Sequence, residues 1–165
     1  MITLQNVLVA TDFGEASTTA LAYGRELARR YGAALHVLHV SDDVGSRMMT
    51  ASGVPYDVSG LQSDIEAEGR RRLDAVVTEQ DRRELRVEIV QLTSSLSAHA
   101  IVSYARDAHI DLIVMGTHGI EPVAHFFLGS VAERVVRTAP CPVLTVRHPE
   151  HEFIGPDALQ TVTTA

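Results

Sequence analysis

The 165-residue sequence contains no tryptophan and a single cysteine. One cysteine excludes an internal disulfide framework and suits a reducing cytosol. Aromatic residues make up 5% of the chain, too few for a stacking platform on single-stranded nucleic acid. Net positive charge is also lacking. With histidine neutral the chain carries −7, which argues against a nucleic-acid or anionic-membrane partner. No apolar stretch approaches the roughly 20 residues of a membrane span. The N-terminal run MITLQNVLVATD lacks the pattern of a signal peptide. A cytoplasmic location is therefore expected. There is no Walker A sequence and no cluster with zinc-site spacing.

What is present is an alternation of short apolar runs and helical periods. Val7 to Ala10 reads as a buried first strand, ending in the turn Thr11-Asp12-Phe13-Gly14. Residues 15–31 carry apolar positions on one helical face, with Arg25, Arg29 and Arg30 on a solvated outer side and Gly32 as the stop. Residues 33–40 form strand two. His36 and His39 point to opposite faces there, so they cannot share a metal, and they read as packed or partly exposed strand residues. Residues 41–60 are unpatterned and are expected to be a long loop; Asp42-Asp43 reads as a solvated turn and Met48-Met49 as packing. Residues 61 to about 85 read as one long helix, with Ser63-x-x-Glu66 as its capping box and Arg70-Arg71-Arg72 salt-linked to acidic neighbours. Residues 87–92 alternate like an edge strand, Ser97 is placed to cap a helix over 98–108, and Asp111 opens strand four. Strands alternating with helices predict a doubly wound, parallel α/β sheet.

The stretch from Asp111 to Arg147 organises the rest. Leu112 to Met115 is a buried strand, Gly116-Thr117-His118-Gly119 follows, then nine residues, then Gly129-Ser130. From Val131 a helical period runs to Ala139. Pro140 and Pro142 bracket Cys141, which reads as structural, before a last strand of Val143, Leu144 and Val146. Glycines at a strand's carboxyl end, and free amides where a helix begins, suit an anion. Ser130 is placed either to cap that helix or to bond a phosphate oxygen.

Gly116, Gly119, Gly129 and Ser130 follow the pattern G-x2-G-x9-G-[ST]. With the flanks VMGTHG and LGSVAERVVRTAPCPVLTVR, the segment resembles the signature of the universal stress protein family. The resemblance covers about residues 4 to 147. It implies a five-stranded parallel sheet of order 3-2-1-4-5 in the three-layer sandwich of the adenine nucleotide alpha hydrolase-like fold. The domain is assigned to residues 1–147, with 148–165 as a disordered tail. The resemblance also implies homodimers, commonly through the last strand, Val143 to Arg147. It implies a site for ATP or another adenine nucleotide, with or without Mg2+, built from Ala10, Thr11, Asp12, Val40, Met115, Gly116, His118, Gly119, Gly129, Ser130 and Val131. The backbones of Ala10, Thr11 and Val40 would lie on the adenine side and Asp12 would reach a ribose or a metal-bound phosphate.

The chain departs from the nucleotide-binding members after the second glycine. Ile120-Glu121-Pro122-Val123 stands where they often have basic and small residues, and no Lys or Arg occurs between Gly116 and Ser130. ATP binding is therefore expected to be weak, or the site selective for a less charged adenine nucleotide. No residue is an evident water-activating base, so slow hydrolysis is the most expected of it. Three readings stay open: a nucleotide-dependent regulatory module, a dimeric stress protein that binds no nucleotide, and a slow nucleotide hydrolase.

Overall fold

A computed structural model describes residues 2–53, 57–117 and 128–147. Its elements are β1 (Asn6–Ala10), α1 (Glu15–Tyr31), β2 (Ala34–Ser41), α2 (Val44–Ser52), α3 (Ser59–Val76), α4 (Glu79–Glu84), β3 (Val87–Thr93), α5 (Ser97–Asp107), β4 (Leu112–Gly116), α6 (Ser130–Thr138) and β5 (Val143–Val146). The strands form one sheet of order β3-β2-β1-β4-β5, and every pairing is parallel. This is the doubly wound α/β arrangement expected from the alternation.

β1 is central, and Val7, Leu8 and Val9 are wholly buried. Val7 and Val9 pack with α1 and α3 on one face, while Leu8 and Ala10 pack with α5 and α6 on the other. That two-sided burial is why the strand reads as an unbroken apolar run. α1 lies very close to the sheet at Gly24, where an added Cβ would fall 2.2 Å from Val9 Cγ2. Gly32 ends α1 in the left-handed region, at φ 66°.

Three expectations need correction. The stretch 41–60 is not all loop. It contains α2, capped where Asp43 Oδ1 accepts from the Ser46 amide at 2.9 Å and stopped by Gly53 at φ 69°. Its outer residues Met48 and Met49 are exposed, so no apolar stripe announces it.

The long helix after it is two helices. The break at Val77 and Thr78 is built by a capping box: Thr78 Oγ1 accepts from the Asp81 amide at 3.1 Å and Asp81 Oδ2 accepts from the Thr78 amide at 2.9 Å. Glu66 is mid-helix and accepts instead from Gln62 and Thr93.

Arg25 and Arg29 are not a solvated face. Both donate to Asp81, Arg25 Nε at 2.9 Å and Arg29 Nη2 at 3.2 Å, and Asp81 is 1% exposed. Arg70 and Arg71 do pair with acidic helix neighbours, Asp74 at 3.4 Å and Glu68 at 2.6 Å.

Candidate functional site

The sheet changes winding direction between β1 and β4. The carboxyl ends of strands at such a switch point are where open α/β sheets bind ligands. A cavity of about 340 Å3 opens at that point. Its walls take Ala10, Thr11 and Asp12 from the end of β1 and Val40 from β2. Met115 and Gly116 come from β4, and Gly129, Ser130 and Val131 from the start of α6. His118 and Gly119 lie outside the described residues. Leu38, His39, Ser97 and Ile101 also line the cavity. The volume is near the small end of the roughly 300–1,000 Å3 of ligand sites.

The turn after β1 is held from within. Thr11 Oγ1 accepts from the Phe13 amide at 3.0 Å and lies 3.1 Å from Ser17 Oγ. Asp12 Oδ1 accepts from the Gly14 amide at 2.9 Å, the turn role its sequence position allows. Its other carboxylate oxygen has no protein partner among the described residues. Asp12 is also the only charged side chain lining the cavity among those residues. Phe13 takes φ 66°, a conformation costly for a bulky residue and found where surroundings enforce it. Its ring lies 4.5 Å from His39, and the Arg72 guanidinium lies 4.3 Å from its centroid.

Gly116 and Gly129 line the cavity and also have structural roles of their own. A Cβ on Gly116 would meet Ala16 Cβ at 2.8 Å and the Ala16 carbonyl carbon at 2.9 Å, so its missing side chain admits α1 rather than a ligand. Gly129 is the N-cap of α6 with φ −57°, which any residue adopts. Its amide donates to the Thr117 carbonyl at 2.7 Å, and the Thr117 amide donates to Val146 at 2.8 Å. These two bonds fix the start of α6 beside the end of β4. Ser130 is the first helical residue and its side chain does not cap. The first-turn amides of α6, which a helix leaves without intrahelical partners, therefore start at the cavity wall.

His39 lines the cavity too, although its spacing marked it only as a packed or partly exposed strand residue. Its Nδ1 lies 2.9 Å from the Thr11 carbonyl, which can only accept, so Nδ1 carries the proton. Burial is the leading cause that holds its pKa below the usual histidine value, so the ring is neutral at neutral pH. His36 points the other way, its Nδ1 2.8 Å from the Tyr104 hydroxyl. The two rings occupy opposite faces, as their spacing requires. Cys141 is partly buried, and burial raises its thiol pKa, as for a structural cysteine. No group of three His, Cys, Asp or Glu among the described residues could hold a metal ion. No helix among them is long and apolar enough to cross a membrane.

The profile of the Universal stress protein family matches residues 3–147. A universal stress protein of Thermus aquaticus is 34% identical over 143 residues, covering 87% of this chain and 98% of its own. A crystal structure of a universal stress protein family member from Burkholderia pseudomallei is 33% identical, with a TM-score of 0.66 over 87% of this chain and 96% of that one. The structure of the universal stress protein from Archaeoglobus fulgidus in complex with dAMP shares the fold, with a TM-score of 0.61 at 23% identity over 88% of this chain and 99% of that one. The order of the sheet, the cavity at its switch point and a match over nearly the whole length agree: the chain belongs to the universal stress protein family.

Proposed function

We propose that the protein is an adenine-nucleotide-binding member of this family, a ligand-dependent regulatory module of the cytoplasm that acts as a homodimer. The observation that carries the reading is the convergence of three unlike groups on one cavity: the Val40 backbone, the Asp12 carboxylate and the first turn of α6. A backbone N–H and C=O side by side match the N1 acceptor and amino donor of adenine. A carboxylate accepts from ribose hydroxyls. Helix amides receive a phosphate. The dAMP complex of the Archaeoglobus fulgidus relative supports the ligand class.

A triphosphate would meet no cationic side chain among the described lining residues, so Mg2+ would have to offset its charge, with Asp12 the one carboxylate among those residues placed to help. AMP is therefore the titrant of choice. Calorimetric titration with AMP is expected to show one site per chain. Asp12→Ala is expected to weaken it by about tenfold or more, the loss of a hydrogen bond to a charged group. Unchanged affinity in Asp12→Ala, or no binding by the natural chain, removes the reading.

The dimer is assigned to the last strand, β5, together with Arg147 that follows it. β5 is a sheet edge, and Leu144 stands 36% exposed on it. Val146 is unsuitable as a probe because it is buried in the protomer's own core. Leu144→Asp is expected to shift sedimentation from dimer to monomer with the fold intact. A dimer that survives it would place the interface elsewhere.

A further inference from the structure

Val40 owes its availability to a neighbouring side chain. Successive residues of a parallel strand direct their backbone groups to opposite neighbours. Leu38 turns its carbonyl to β1, where the Thr11 amide meets it at 2.9 Å, and Ser41 turns its carbonyl toward the β3 side, where the Ser94 amide meets it at 3.0 Å. Val40 therefore faces the same way as Leu38. The next rung of the β1–β2 ladder would run from the Val40 amide to the Thr11 carbonyl. That rung is missing. The Thr11 carbonyl accepts instead from His39 Nδ1 at 2.9 Å. The acceptor of the following rung is unused as well, because the Phe13 amide donates to Thr11 Oγ1. Val40 N–H and C=O thus meet no protein partner among the described residues, although they lie in a β-strand and line the cavity. Val40 is half-buried, so these open groups give onto the cavity and not onto the packed core.

Resting on the nucleotide reading for the identity of the ligand, we infer that His39 is a positioning residue: by capping the Thr11 carbonyl it ends the β1–β2 ladder one rung early and reserves the Val40 backbone for the base. The neutral ring suits this role. Its one proton sits on Nδ1, and the ring is braced against Phe13, which takes a left-handed backbone. His39 need not touch the ligand to act.

Two measurements on the full chain test this. The first is amide hydrogen exchange by NMR without nucleotide. The Val40 amide is expected to exchange at least about a hundredfold faster than the Leu38 amide, which lies within the paired ladder. In His39→Leu the Thr11 carbonyl is released, the rung closes, and Val40 exchange is expected to slow at least tenfold. A merely structural histidine would not produce that slowing. Val40 protected in the natural chain overturns the inference, whatever nucleotide does.

The second is AMP affinity in His39→Leu and His39→Asn, with melting temperatures recorded alongside. Asparagine can set an amide N–H where Nδ1 stood. His39→Leu is expected to bind AMP about tenfold more weakly, with His39→Asn within about threefold of the natural chain. Equal binding by His39→Leu, or a folded His39→Asn as weak as His39→Leu, overturns it. No AMP binding by the natural chain is a failure of the proposed function. The exchange experiment still decides whether His39 frees Val40.

Discussion

Replacing Asp81 with alanine is expected to lower stability by about 3 kcal/mol, read as a drop in the denaturant midpoint with an unchanged slope. The carboxylate is buried and fully used. Oδ2 accepts from the Thr78 amide and from Arg25 Nε, both at 2.9 Å, and Oδ1 from Arg29 Nη2 at 3.2 Å. Its removal uncaps α4, worth about 1 kcal/mol, strips Arg25 of its carboxylate and leaves Arg29 with Glu84 alone, at 2.8 Å. Breaking a wholly buried pair costs about 3–5 kcal/mol. Arg25 and Arg29 are 20% and 25% exposed, so water recovers part of that. A midpoint shift equivalent to less than about 1 kcal/mol would mean the clamp between α1 and α4 is incidental.

The same group sets an acid limit. Burial pushes the Asp81 carboxyl upward, but the bonds from Thr78 and Arg25 outweigh it and hold it below the ordinary aspartate value. A carboxyl depressed in the folded state stabilises fully above its unfolded pKa, near 4, and loses that contribution as pH falls through the folded value. The natural chain is therefore expected to lose stability below about pH 4 more steeply than Asp81→Asn, which has no proton to take up.

Gly116→Val is expected to cost about 3 kcal/mol as well, through crowding rather than lost contacts. The atoms in the way include the Ala16 carbonyl carbon at 2.9 Å and the Ser17 amide nitrogen at 3.0 Å. Backbone atoms cannot rotate aside, so α1 must retreat from β4. Ser17 lines the cavity, so the retreat deforms the site, and AMP affinity should fall together with the denaturant midpoint. Gly60→Ala is the control. It sits in the first turn of α3 with nothing within 4 Å of an added Cβ, and it should be neutral or slightly stabilising. Equal effects at the two positions would deny that Gly116 is glycine because of α1.

The carboxyl end of β4 was legible because its chemistry is local. A short apolar run, spaced glycines and a helical period each involve residues a few positions apart, and so do the first strand and its Asp12 turn. The elements that escaped notice lack a local mark. α2 has polar and exposed apolar residues mixed around it, so its capping Asp43 and its stop Gly53 were the local signs it offered. The apolar period of α3 runs on through Val76 and Val77 into the break, which hid a capping box formed with aspartate in place of the usual glutamate.

Sequence by itself determined the five strands and the parallel sheet, because these rest on neighbours whose side chains repeat with a strand's or a helix's period, and the family, because its glycine motif and flanks are contiguous in the chain. Tertiary structure alone decided that Asp81 meets Arg25 across 56 positions of chain, that Gly116 is reserved for α1 and that His39 rather than Val40 takes the Thr11 carbonyl. Those partners are chosen by strand register and by how far each strand runs past its neighbour, and β1 stops at Ala10 while β2 continues to Ser41.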